Sequence, residues 1–160
     1  MPCYESWLRM SFNPARFLRA ATLLAINLLY VMVWGFAGIG KVIEGMPAWF
    51  GDKFGKTILA TFPGLTASFW LLTASELLGF ALAMAALARG EFLGQRPLAL
   101  LPGMLVWSLF VFLQLGFGLW LTSDFNGTFQ QFMYGSGTLV SLIFVNQALG
   151  LFGVESNSSK

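Results

Sequence analysis

The chain has 160 residues, of which 57% are hydrophobic and only 10% charged, against about 25% charged in an ordinary soluble domain. So few charges cannot cover the surface of a water-soluble domain, and a net charge of +2 is too small and too scattered to point to nucleic acid. With no histidine and a single cysteine, Cys3, the sequence offers no internal disulfide, CxxC pair, bis-histidine haem ligation, HExxH zinc motif or histidine general base, and no metal site is expected.

A transmembrane helix needs about 20 apolar residues, so charged positions mark the breaks. No charge falls between Arg19 and Lys41, which predicts helix one over about 20–40; Asn13 is a good N-cap and Pro14 fits a first helical position. Its apolar stretch is longer than that of a cleaved signal peptide, so it is expected to be retained. Helix two is predicted over about 65–88, where Glu76 is the only charge between Lys56 and Arg89. Arg96 and Asp124 bracket helix three at about 98–121, and Asp124 and Glu155 bracket helix four at about 129–151. Runs such as Leu23-Leu24-Ala25-Ile26 are apolar on every side and lack the alternation of barrel strands. The expected fold class is therefore an all-α membrane protein. It is one domain over 1–160, a four-transmembrane-helix bundle surrounded by the lipid bilayer.

The first outer loop, 42–64, places Phe54, Ile58 and Phe62 at four-residue spacing with Lys53 and Lys56 off that face. This predicts a short amphipathic helix in the headgroup region, with a lid over a pocket as the alternative. Trp107 is expected in packing and Trp120 at an interface. Arg9, Arg16, Arg19, Arg89, Arg96 and Lys160 fall on the side of the two termini, and Lys41, Lys53 and Lys56 on the other, six against three. The positive-inside rule then places both termini in the cytoplasm.

Glu76 is the residue that most invites a role. A charged, unpaired carboxylate near the middle of a membrane helix costs several kcal/mol, so it should face the bundle. It could relay a proton, contact a ligand or act as interhelical glue. By the helical rise of about 1.5 Å per residue, Asn27 lies near its depth, Gln114 about 7 Å toward the outer side, and Asn146 and Gln147 about 10 Å toward the cytoplasm. Lys41 falls about 15 Å above Glu76, so a direct pair needs tilt, a break at Gly38 or Gly40, or water. Asn27 is the first expected partner. For Asn27, Gln114, Asn146 and Gln147 the glue role is the simpler one. Ser75, Gly79 and Ala83 form a small-residue stripe beside Glu76 that allows close helix approach, and Gly135, Gly137 and Ser141 suggest another on helix four. Asn126-Gly127-Thr128 matches a glycosylation sequon but is first a turn signal.

Several short pieces together resemble the DoxX-like family of small bacterial membrane proteins. They are Gly38-Ile39-Gly40-Lys41, Pro47-Ala48-Trp49-Phe50, Phe62-Pro63-Gly64, Glu76-Leu77-Leu78-Gly79 and Arg89-Gly90. Their order and spacing carry the likeness over about a third of the chain, and helices three and four add only hydrophobicity. The resemblance implies a four-helix protein of the bacterial inner membrane, with a Lys and Glu pattern falling on Lys41 and Glu76. Some relatives are linked to sulfur-compound oxidation and quinone reduction, others to oxidative-stress complexes or electron supply. The chain shows no flavin, haem or metal motif of its own. The first expectation is a redox-linked membrane subunit in which Glu76, with Asn27 or Gln114, binds a quinone-like head group or passes protons beside it. The alternatives are a noncatalytic anchor for a redox or other membrane partner protein, and a small-solute transporter that would need a homo-oligomer.

Overall fold

The structure is a computed structural model that describes residues 13–93 and 99–149. Cys3, Arg9, Arg96, Glu155, Lys160, the first residue expected for helix three (98) and the last two of helix four (150–151) lie outside the described residues. Among the described residues every regular element is helical. Four long helices, α1 (Pro14–Glu44), α4 (Leu65–Ala88), α5 (Leu100–Leu121) and α6 (Phe125–Leu149), correspond to predicted helices one to four. Two short ones, α2 (Ala48–Phe54) and α3 (Ile58–Thr61), fill the loop after α1, and a single 3-10 turn, Glu91–Leu93, follows α4.

α1 starts where its capping signal lies. The Asn13 side chain accepts a hydrogen bond from the Arg16 amide at 3.2 Å, and Pro14 occupies the first turn. It runs past Lys41 to Glu44, and Gly45 at φ 72° closes it by donating its N–H to the Lys41 carbonyl. Charges at Arg16, Arg19 and Lys41 therefore mark where the helix meets polar surroundings and not where its backbone ends. α4 occupies the predicted span. α6 starts four residues earlier than expected because Asp124 caps it: its carboxylate accepts from the Gly127 amide at 2.9 Å and its carbonyl from the Thr128 amide at 2.9 Å. Asn126 and Gly127 thus lie in the first turn of a helix, and the tight turn sits before them.

The single amphipathic helix expected in the outer loop is two. Between α2 and α3 the chain turns at Gly55-Lys56-Thr57, where Thr57 Oγ1 caps α3. The turn rotates Ile58 and Phe62 off the face of Phe54: Phe54 is 7% exposed, Ile58 63% and Phe62 79%. The buried pair is instead Phe50 and Phe54, packed on each other and, with Phe69 of α4, in one aromatic cluster with ring centroids 4.6 and 5.4 Å apart. α2 is thereby pinned onto the bundle.

α1, α4, α5 and α6 pack in chain order, each antiparallel to the last. The α1–α4 seam is close because it lacks side chains. A Cβ on Gly38 would stand 2.9 Å from Leu77 Cδ2, one on Gly35 3.0 Å from the Phe80 ring, and one on Gly79 2.9 Å from Trp34 Cδ1. With no water to expel between helices in a bilayer, such van der Waals contact is a main source of association. The stripe expected on helix two is thus realised at Gly79 and Ala83, whereas Gly135 and Gly137 have open space beside them and make no close contact. Trp34 crosses the bundle, donating to Ser108 Oγ at 2.8 Å and lying against Phe112.

Three helices, α1, α4 and α5, are long and apolar enough to cross a membrane, and about a third or less of their most apolar stretches is buried. The large exposed residues include Leu28, Leu29, Met32, Phe36, Trp70, Leu71, Phe110 and Leu113. A surface of this kind is stable only against lipid, so the protein is a membrane protein. α6 is free of charge but carries Asn126, Gln130, Gln131, Asn146 and Gln147, and does not reach the apolarity of the other three.

Candidate functional site

The seam between α1 and α4 fixes the geometry around Glu76. Because Gly38 lies level with Leu77, α1 ends at Glu44 about 9 Å above that level, whereas α4 begins at Leu65 about 18 Å above it. α1 thus sits deep relative to α4, and Lys41 stands only about 4.5 Å above the contact. Its ammonium reaches both carboxylate oxygens of Glu76, at 2.5 and 2.6 Å. The depth estimate that kept these residues apart assumed that the two helices begin and end at one level. The contact is direct and α1 is continuous through Gly38 and Gly40, so neither a break nor a water bridge is needed once α1 is shifted along α4.

Glu76 is 1% exposed, while 28% of the Lys41 side chain is open. The expected partner, Asn27, is not at the site. It is fully buried further down the α1–α4 seam, where its amide, oriented to satisfy both ends, donates to the Ala83 carbonyl and accepts from the Leu87 N–H. Asn27 is interhelical glue. Asn146 and Gln147 lie near the far end of α6, half-buried and exposed respectively.

The ion pair separates two cavities. The first, about 370 Å³, lies under α2 and is lined by Lys41, Gln114 and Ser68 together with Phe50, Phe69 and Lys53. The second, about 560 Å³, is a cleft between α1 and α6. Glu76 is in its wall, with Tyr30 and Trp34 of α1, Phe112 of α5, and Gln131 and Tyr134 of α6. Both fall in the size range of small-molecule sites, which are mostly apolar with a few placed polar groups. Of the four candidates taken from the sequence, Lys41 and Gln114 share the first cavity, Glu76 faces the second and is bound to Lys41, and Asn27 belongs to neither.

Reading the sequence did not single out Tyr30, Trp34, Ser68 or Gln131. Tyr30 donates from its hydroxyl to Thr138 Oγ1 at 2.7 Å and ties α1 to α6 across the cleft. Ser68 Oγ and Gln131 Oε1 are buried atoms with no hydrogen-bond partner among the described residues, the first lining the outer cavity and the second the cleft. The signal for Gln131 was present: a Gln-Gln pair in a helix otherwise rich in Phe is costly to place in lipid. At the rim, Lys53 donates to Asp124 at 2.8 Å and joins α2 to the α5–α6 turn. That bond, reinforced by the Gly127 amide, holds the Asp124 carboxyl below the ordinary carboxylate range.

Glu91 is a second buried carboxylate, with a different use. It lies at the opposite end, 1% exposed, and accepts hydrogen bonds from the amides of Ala99, Leu100 and Leu101 at the start of α5. This is a structural cap on a helix N-terminus. Among the described residues no cluster of His, Cys, Asp and Glu could hold a metal ion. Comparison of the chain with family models, with curated proteins and with solved structures finds no match in any of the three.

Proposed function

We propose that the protein is a multi-pass membrane subunit that holds a lipid-soluble, quinone-like ligand in the α1–α6 cleft. Glu76 would bind the polar head of that ligand or exchange a proton with it. The observation that carries this reading is the position of Glu76: a buried carboxylate, held by one ammonium, in the wall of a 560 Å³ aromatic cleft. An ionisable group retained at such depth is a functional candidate by default. Gln131, whose oxygen in the same cleft has no partner among the described residues, supplies a second polar contact. Leu29, Met133 and Tyr134, all more than half exposed, form a rim open to lipid tails, the route by which such a ligand would enter.

In this proposal α6 is the fourth span. It is free of charge over its whole length, and Gln131, Thr138 and Ser141 turn toward the cleft or α1 while Phe129, Phe132, Val140 and Ile143 face outward. The cation count supports cytoplasmic termini. The resemblance to DoxX-like proteins supports a bacterial inner membrane and a redox partner protein.

The test is photolabelling of the purified protein with an azido-ubiquinone analogue, with and without excess decylubiquinone. Saturable, competable labelling of α1 and α6 peptides is expected, weakened about tenfold or more by Glu76→Gln, the loss of one charged hydrogen bond. Labelling that does not saturate, or that ignores Glu76→Gln, would refute the proposal.

A further inference from the structure

We infer that the cavity under α2 is a water-filled vestibule, through which the Lys41–Glu76 pair communicates with one face of the membrane only, the face that carries α2 and α3. Three observations converge on this.

The first is the charge on the vestibule wall. Lys41, Lys53 and Glu44 all line it, and 28% of the Lys41 side chain is exposed. A partly open ammonium facing lipid tails would cost several kcal/mol; water removes that cost. The second is Ser68. Its Oγ is buried without a partner among the described residues and lines the same cavity. Buried polar groups of this kind are the usual hosts of ordered water, and 370 Å³ is room for several molecules at about 30 Å³ each.

The third is the seal below. Toward the opposite end of the bundle Leu23, Ala83, Ala86, Leu101, Met104 and Leu105 are each 0% exposed. The buried polar groups at that end are already satisfied, Asn27 by α4 backbone and Glu91 by the amides of α5. Among the described residues, water therefore has a polar way in from the α2–α3 end and none from the other. The titratable groups around the route are Glu44, Lys53 and Asp124 at its mouth, the pair itself, and Tyr30 and Tyr134 beyond it in the cleft.

The vestibule stands without the ligand reading; only its use rests on that reading. A hydroxyl bound beside Glu76 could exchange its proton with that one face. Glu76 takes a proton from the cleft as Lys41 releases one to vestibule water, and the pair then resets by moving the proton from Glu76 to Lys41. No electrons move, and each cycle takes up one proton and releases one.

Sided thiol labelling tests this on the full chain in right-side-out and inverted membrane vesicles, in a Cys3→Ala background. Single cysteines are placed in the cavity (Ser68→Cys, Gln114→Cys), at its own end (Lys56→Cys), at the opposite end (Arg89→Cys) and in the seal (Leu105→Cys). Thiols react as thiolates, which form in water, so the two cavity cysteines should react with a small cationic methanethiosulfonate at least about tenfold faster than Leu105→Cys. They should do so only from the face that labels Lys56→Cys. Reaction from the face that labels Arg89→Cys, from both faces, or from neither would overturn the inference; labelling after unfolding in SDS confirms that each thiol is intact. Failure of quinone photolabelling would leave this result standing, and a dry cavity would leave the cleft site standing.

Discussion

Removing the two halves of the Lys41–Glu76 pair should have unequal consequences. In Lys41→Met, Glu76 remains 1% exposed and loses its counter-ion. Stranding one member of a buried pair costs about 3–5 kcal/mol. In Glu76→Gln the stranded group is Lys41, whose side chain is 28% open and can turn toward the cavity under α2. The expected cost is about 1.5–3 kcal/mol, that of a lost charge-assisted hydrogen bond. The double variant Lys41→Met/Glu76→Gln strands no charge, so it should be more stable than Lys41→Met alone, with a coupling energy of about 2–4 kcal/mol. Reversible unfolding in mixed micelles with increasing SDS, followed by far-UV circular dichroism, measures all four corners of the cycle. A double variant whose loss is the sum of the two singles would refute the pairing and the shift assigned to α1, and equal costs for the two single variants would refute the unequal burial of its members.

The α1–α4 seam predicts a contrast between two glycines. Gly79→Ala should lose about 1–3 kcal/mol in the same assay, because the new Cβ meets the ring of Trp34, which is fixed by its bond to Ser108. Gly40→Ala, with nothing within 4 Å, should be neutral or gain up to about 1 kcal/mol from helix propensity. Glu91→Gln removes the charged acceptor of three α5 amides and should cost about 2–3 kcal/mol, with faster amide exchange at Leu100 and Leu101. Asp124 titrates below the ordinary carboxylate range in the folded protein because of Lys53 and the Gly127 amide. Its stabilisation is therefore present above the unfolded value of about 4 and is lost as pH falls through the lower folded value. Asp124→Asn should lower the melting temperature at pH 7, and the gap to wild type should close in acid; a gap that persists at low pH would contradict the role given to this carboxylate.

Single elements were legible in the sequence where the signal was local. α4 follows its prediction because a glycine and an arginine bound an uninterrupted apolar run, and Glu76 stood out because a carboxylate in such a run is costly. The partner of Glu76 was not legible, since it depends on how far α1 slides along α4. That slide is set by a tertiary contact, Gly38 on Leu77, which no spacing within one helix reveals. Phe54, Ile58 and Phe62 share a helical face on paper, but Gly55 ends the first helix and Thr57 caps a second. Charge spacing foretold where α6 is free of charge but not how polar it is. Nothing in their spacing sets Trp34 and Tyr30 apart, while in the fold their hydrogen bonds join three helices. The role of Glu91 was not legible, because it appears only once the start of α5 is brought over it.

Tyr30 and Thr138 bear on how a bulky ring could enter between the first and last long helices. The Tyr30 hydroxyl links those helices across the opening, and in a bilayer an interhelical bond of this kind is worth only about 0.6–2 kcal/mol. The opposite edge is clenched by glycines against aromatic and leucine side chains. The bundle therefore behaves as a clothes-peg, stiff at its spring and lightly latched at its jaws. On the proposed reading, a flat guest would enter sideways from the hydrocarbon where the latch is light, while the spring keeps its grip.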